Sequence, residues 1–153
     1  MDPRSEGSLL HAVLEDIIKE ADLDMAFERK RVKGMMTRAM INDYKPMLKK
    51  ALESVRERGL YGGGMRVLTE RPVFKREDVN RRPDRVMIDD AGHCIVVDYK
   101  FGDRSNRKAH HQQVRNYMEL MKGSGQCSSV EGYVWYVKEG KIEQVDSEKP
   151  GKD

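Results

Sequence analysis

The chain has 153 residues, of which 38% are hydrophobic and 36% charged, and its 29 Lys and Arg against 26 Asp and Glu leave a net charge of +3. That length suits one domain with a core of its own, and no stretch approaches the roughly 18 consecutive apolar residues of a membrane span. The small positive excess is compatible with a polyanionic partner without requiring one. Met1 to Glu6 contain no apolar segment of a secretory signal. A cytoplasmic location is therefore expected, with Cys94 and Cys127 as reduced thiols.

The first third reads as helix. Leu10, Val13, Leu14, Ile17 and Ile18 recur at helical spacing, with Ser8 as the expected N-cap. A second helix is expected from about Asp24 to Met36. A third runs from about Asn42 to Arg58 on a stripe of Tyr44, Leu48, Ala51, Leu52 and Val55, with Gly59 as its C-cap. Gly62-Gly63-Gly64 reads as a junction. With no helix directly behind it and no following Lys-Ser/Thr, it is not a phosphate-binding loop.

Strand character begins at Met65 to Phe74 and returns at Arg82 to Asp89. Asp90-Ala91-Gly92 signals a tight turn into a third strand, His93 to Lys100, carrying Ile95-Val96-Val97. A helix is expected from about Ala109 to Met121, a fourth strand from Val130 to Val137, and a hairpin turn at Glu139-Gly140. A fifth strand follows from Lys141 to Val145. The order predicts an α/β fold with a small mixed central sheet flanked by helices. One domain is expected over 1–146, mainly helical over 1–60 and a sheet core with one helix over 65–146, followed by a polar tail, 147–153.

The residues that point to chemistry are Asp84, Asp98 and Lys100. Asp98 and Lys100 stand two apart on a strand and so share a face. The turn at Asp90-Ala91-Gly92 folds the Asp84 segment back beside them. Two carboxylates suit a hard cation such as magnesium, and a nearby ammonium suits the handling of water or phosphate. Taken singly, Asp84 reads as a turn residue after proline, and Asp98–Lys100 as an exposed strand pair. Asp98, however, closes an apolar run, where an acid is costly without a partner.

Arg82-Pro83-Asp84-Arg85-Val86-Met87-Ile88 and Val96-Val97-Asp98-Tyr99-Lys100-Phe101-Gly102 resemble the signature of RecB/AddA-type nuclease domains of the PD-(D/E)xK class. That family typically shows Gly-x-Ile-Asp-Arg followed by Val-Asp-Tyr-Lys-Thr-Gly. Arg82-Pro83 replace the usual glycine and apolar residue, and Phe101 replaces threonine; neither change removes a ligand. The segment Gly7 to Glu15 is similar to the family's Gly-Thr/Ser-x-x-His helix. Gln113 and Tyr117 fit its Gln-x-x-x-Tyr helix, and Glu70-Arg71-Pro72-Val73-Phe74 resembles its Glu-x-Pro-Phe strand.

The resemblance implies a restriction-endonuclease-like fold and a metal-dependent deoxyribonuclease, with Asp84, Asp98 and Lys100 catalytic. It implies Mg2+, with Mn2+ substituting, held by His11, Asp84, Asp98 and the backbone carbonyl of Tyr99. Glu70, Gln113 and Tyr117 would support the site. On the residues alone, His11 is a helix-face histidine and Glu70 a polar strand residue. The implied partners are DNA, as single strands or duplex ends, a helicase domain in the parent chain and a partner subunit, with no membrane. The implied role is the exonuclease of a helicase–nuclease in end processing or recombinational repair. Two cysteines do not supply the four thiolates of the iron–sulfur cluster that some relatives carry. The alternative is a catalytically silent DNA-binding module of the same fold. His110-His111 reads as a solvated helix start, and Tyr133, Trp135 and Tyr136 as core and edge aromatics rather than a base-stacking platform.

Overall fold

The computed structural model describes residues 3–68 and 83–147. The chain forms two compact units, one of Met1–Gly63 with Val137–Lys141, the other of Gly64–Tyr136 with Ile142–Asp153.

The first unit is helical: α1 (Pro3–Glu15), α2 (Leu23–Val32) and α3 (Arg38–Ser54), with short 3-10 turns at Glu20–Asp22 and Arg56–Arg58. α1 begins at Pro3 rather than at a Ser8 cap. Proline suits a first helical position because the N–H it lacks has no intrahelical partner there. Leu10, Val13, Leu14 and Ile17 are fully buried, as the spacing predicts, but Ile18 is 40% exposed. The helix has ended by then, and the Ile18 and Lys19 amides donate to Asp22 Oδ2 at 3.1 and 3.0 Å. α2 stops at Val32, four residues short of the expected end, in a turn at Lys33–Gly34. α3 starts earlier than Asn42 because Thr37 caps it, accepting from the Met40 amide at 3.2 Å. Its interior stripe of Leu48, Ala51, Leu52 and Val55 is buried, and Tyr44 half-buried. Gly59 closes the segment in the left-handed conformation. Lys30, itself buried, reaches Asp16 at 2.8 Å and ties α2 to the turn after α1.

The second unit holds a five-stranded sheet in the order β1-β2-β3-β4-β5: β1 (Arg66–Leu68), β2 (Arg85–Ile88), β3 (His93–Lys100), β4 (Ser129–Tyr136) and β5 (Lys141–Val145). β1, β2 and β3 pair antiparallel, whereas β3 and β4 are parallel, joined through α4 (Arg107–Gly123). The sheet is therefore mixed and the fold α/β, as expected. Of the strand expected over Met65 to Phe74, three residues form β1, and Glu70 lies outside the described residues. The turn before β3 follows its sequence signal. Asp89 Oδ1 accepts from the Ala91 and His93 amides, both at 2.9 Å, and Gly92 takes a φ of 89°, a conformation that costs a glycine no steric penalty.

α4 covers one sheet face. Val114, Tyr117, Met118 and Met121 pack with Val86, Cys94, Val96, Val134, Tyr136 and Val145. Gly132 lets the helix approach: a Cβ there would meet Met118 Sδ and Val114 Cγ1, each at 2.7 Å. The β-branched run of β3 suits a strand buried on both faces. Within this unit Cys94 and Cys127 are joined by a disulfide, with Cα atoms 5.9 Å apart, which corrects the expectation of free thiols. The cysteines stand 33 positions apart, and only the packing of the α4–β4 loop beside β3 brings them together.

Candidate active site

The site is built on the hairpin of β2 and β3. Arg85 pairs with Val97, and extending that register by one residue sets Asp84 opposite Asp98, on the face that α4 covers. Asp84 Oδ2 accepts the Tyr99 amide at 2.8 Å, which fixes the carboxylate against the central strand. Burial pushes the Asp84 carboxyl well above the usual carboxylate range, reinforced by the charge of Asp98 and a hydrogen bond with it. Asp98 is only 4% exposed. Its partner is Lys100, whose Nζ lies 3.2 Å from Asp98 Oδ2.

Lys100 Nζ also donates to Gln113 Oε1 at 3.2 Å, and Gln113 Nε2 donates to Tyr117 OH at 3.2 Å. The i,i+4 pair on α4 thus restrains the ammonium from the helix side. Tyr99 points its buried ring to the opposite face, edge-on to Trp135 at a centroid distance of 5.7 Å. Tyr133, Trp135 and Tyr136 are all buried, so the core reading of these aromatics holds. His11 lies on α1 of the first unit and is half-buried.

The expectation of a solvated histidine pair is corrected. His110 Nδ1 is 2.8 Å from Tyr136 OH, and the two rings lie 5.6 Å apart at 45°. His111 Nε2 is 2.8 Å from Glu143 Oε1, and Arg104 and Arg107 reach the same carboxylate at 3.0 and 2.9 Å. Burial would raise Glu143, but these three donors outweigh it and hold the carboxyl below its ordinary range. They fasten the start of α4 to β5. His110 stands three residues before Gln113 and seven before Tyr117, so its membership of that helical face was readable from spacing; its tie to Tyr136 was not.

Two adjoining carboxylates, one buried and one destabilised by the other, are a donor set suited to a hard divalent cation. Among the described residues no group of three or more His, Cys, Asp and Glu gathers as a metal-holding cluster.

A mixed sheet that presents two acids and a lysine from neighbouring strands defines a restriction-endonuclease-like protein. The chain belongs to the PD-(D/E)XK nuclease superfamily, whose family model matches residues 1–152. Members of that superfamily are generally nucleases and typically use divalent metals. No curated protein matches the sequence. No helix among the described residues is long and apolar enough to cross a membrane.

Proposed function

We propose that the chain is a Mg2+-dependent deoxyribonuclease, with Mn2+ able to substitute, and that residues 1–146 work as one nuclease domain. The observation that carries this reading is the facing pair Asp84 and Asp98, with the Lys100 ammonium 3.2 Å from Asp98. Asp84, Asp98 and the Tyr99 carbonyl would hold the cation, with His11 as a further ligand and Glu70 in support. A bound ion of this kind lowers the pKa of its water and neutralises charge on a scissile phosphate. Lys100 orients the attacking water or steadies the charge building on the phosphate. Gln113, itself bonded to Tyr117, positions that ammonium.

The substrate on this reading is DNA, as single strands or duplex ends. The likeness of the four motifs to RecB/AddA-type proteins supports an exonuclease role in end processing or recombinational repair. It also supports a helicase domain in the parent chain, a partner subunit and a cytoplasmic setting, in which the Cys94–Cys127 bond would be open to reduction. The intact trio Asp84, Asp98 and Lys100 weighs against a silent DNA-binding module. The test is incubation with labelled single-stranded DNA in Mg2+, Mn2+ and excess chelator. Cleavage in either metal and none in chelator is the expected result. Binding without cleavage in every condition would establish the silent module instead.

A further inference from the structure

The large apolar side chains that stand open to solvent among the described residues are gathered in one stretch of the helical unit. They are Ile18, Met25, Val32 and Met35, at 40, 50, 70 and 43% exposure. The last three belong to α2 and the turn that ends it. Met25, Arg29 and Val32 follow one another at i, i+4 and i+7, so they share one face of α2. Met25 and Val32 stand about 10 Å apart along the helix axis. This face is turned away from the core, since Leu23, Ala26, Phe27 and Lys30 are the buried residues of the helix. Single exposed apolar residues are ordinary, but a set sharing one face marks an interaction surface.

The same stretch is basic. From Arg29 to Arg38 the sequence carries Arg29, Lys30, Arg31, Lys33 and Arg38 and no acid. Lys30 is engaged with Asp16, and Arg31 with Glu28. Arg29 and Lys33 are exposed, and among the described residues neither is in an ion pair. Glu28, on the same face, is bonded to Arg31, and the charges of Arg31, Arg38 and Lys45 join that bond in holding its carboxyl below the ordinary range. Arg38, although on α3, therefore borders the patch.

We propose that this face of α2 docks an amphipathic helix of a partner protein, its apolar stripe over Met25, Val32 and Met35 and its acidic flanks against Arg29, Lys33 and Arg38. The apolar centre selects protein over nucleic acid. A phosphate backbone would use the cations and leave Val32 in water, whereas an acidic amphipathic helix satisfies both. A second copy of the chain fits less well, because two such basic faces repel. Methionine suits the role, since its unbranched, polarizable side chain adapts to the surface it meets. None of these residues belongs to the Asp84, Asp98 and Lys100 site, so the inference stands apart from the nuclease reading.

The experiment is fluorescence anisotropy of a labelled synthetic peptide of Leu, Ala and Glu, with its leucines at helical spacing, titrated with the full chain. Saturable binding that weakens as salt rises is the expected result, because salt screens exposed charges. Val32→Ser should weaken it about tenfold, the loss of one apolar anchor. Arg29→Glu should weaken it at least as much, since it turns an attraction into a repulsion. Lys122→Ala, an exposed cation on α4, serves as control. Melting temperatures establish that each variant is folded. The same peptide with its leucines scrambled out of register should not bind. A wild-type chain that does not bind the peptide overturns the proposal, as does equal binding of the scrambled peptide, unchanged affinity in Val32→Ser, or an equal loss in Lys122→Ala. It is also overturned if a single-stranded oligonucleotide or vesicles of phosphatidylserine bind through Val32 and Arg29 more tightly than the peptide, or if sedimentation shows a dimer that Val32→Ser dissociates.

Discussion

At the residue scale, Asp84 and Lys100 make opposite demands on the protein. Asp84 is held where its charge is unwelcome, half-buried beside Asp98. A carboxyl whose pKa is raised on folding adds stability that is full below the unfolded pKa and is lost as pH rises through the folded value. The metal-free protein should therefore melt at lower temperature as pH climbs above the ordinary carboxylate range. Asp84→Asn should raise the melting temperature at neutral pH and flatten that dependence. A thermal scan series in chelator checks it, and an unchanged or lowered melting temperature would show that the repulsion is absent. Lys100→Ala leaves the carboxylates in place, so calorimetric metal binding should persist. Single-turnover cleavage should fall on the order of 10²–10⁴-fold. Lys100→Arg should not restore it, because a planar guanidinium does not fit a compact ammonium position. Wild-type rates in Lys100→Ala would make Lys100 a strand surface residue.

At the element scale, α4 and β3 carry the arrangement. α4 lies so close to β4 at Gly132 that even a methyl group collides with Met118 and Val114. Gly132→Ala should cost about 1–3 kcal/mol by overpacking, read as a shift of the urea midpoint. A neutral result would mean that the helix moves aside freely, and Gln113 would then be a poor support for Lys100. The Cys94–Cys127 bond closes a loop spanning 33 positions around α4. By loop-closure entropy its removal should cost about 3–4 kcal/mol. Cys94→Ser together with Cys127→Ser, compared with wild type in reductant and oxidant, measures this. Equal stability in all states would show that the thiols are not bonded in solution. The Asp90-Ala91-Gly92 turn was legible because its side-chain and glycine requirements are local. The cap of α3 was not, because Met35-Met36 reads as continuing α2, whereas the Gly34 turn had already ended it.

At the scale of the whole molecule, a net charge of +3 gives a weak general pull on a polyanion, and the groups beside the carboxylates suit phosphate. Phosphate contacts position a strand but read no sequence. Cleavage of a mixed-sequence library is therefore expected to show no short recognition motif. Affinity for single strands should fall with rising salt, with a log–log slope of about −0.7 for each phosphate neutralised. Products confined to one short sequence, or salt-independent binding, would overturn this reading.

The sequence by itself determined the α/β class, the strand–turn–strand unit, and the facing of Asp84 and Asp98. A tight turn sets the register of a hairpin, and period-2 alternation sets the face of each side chain. It also determined the Gln113–Tyr117 pair, since i,i+4 neighbours meet on any helix. Only the tertiary structure decided what α4 touches. The bonds of His110 to Tyr136, of His111 to Glu143 and of Lys100 to Gln113, and the joining of Cys94 to Cys127, cross 26, 32, 13 and 33 positions. No local periodicity encodes such meetings. They follow from how close the helix can lie to the sheet, and that depends on the missing side chain of Gly132 and the volumes packed around it.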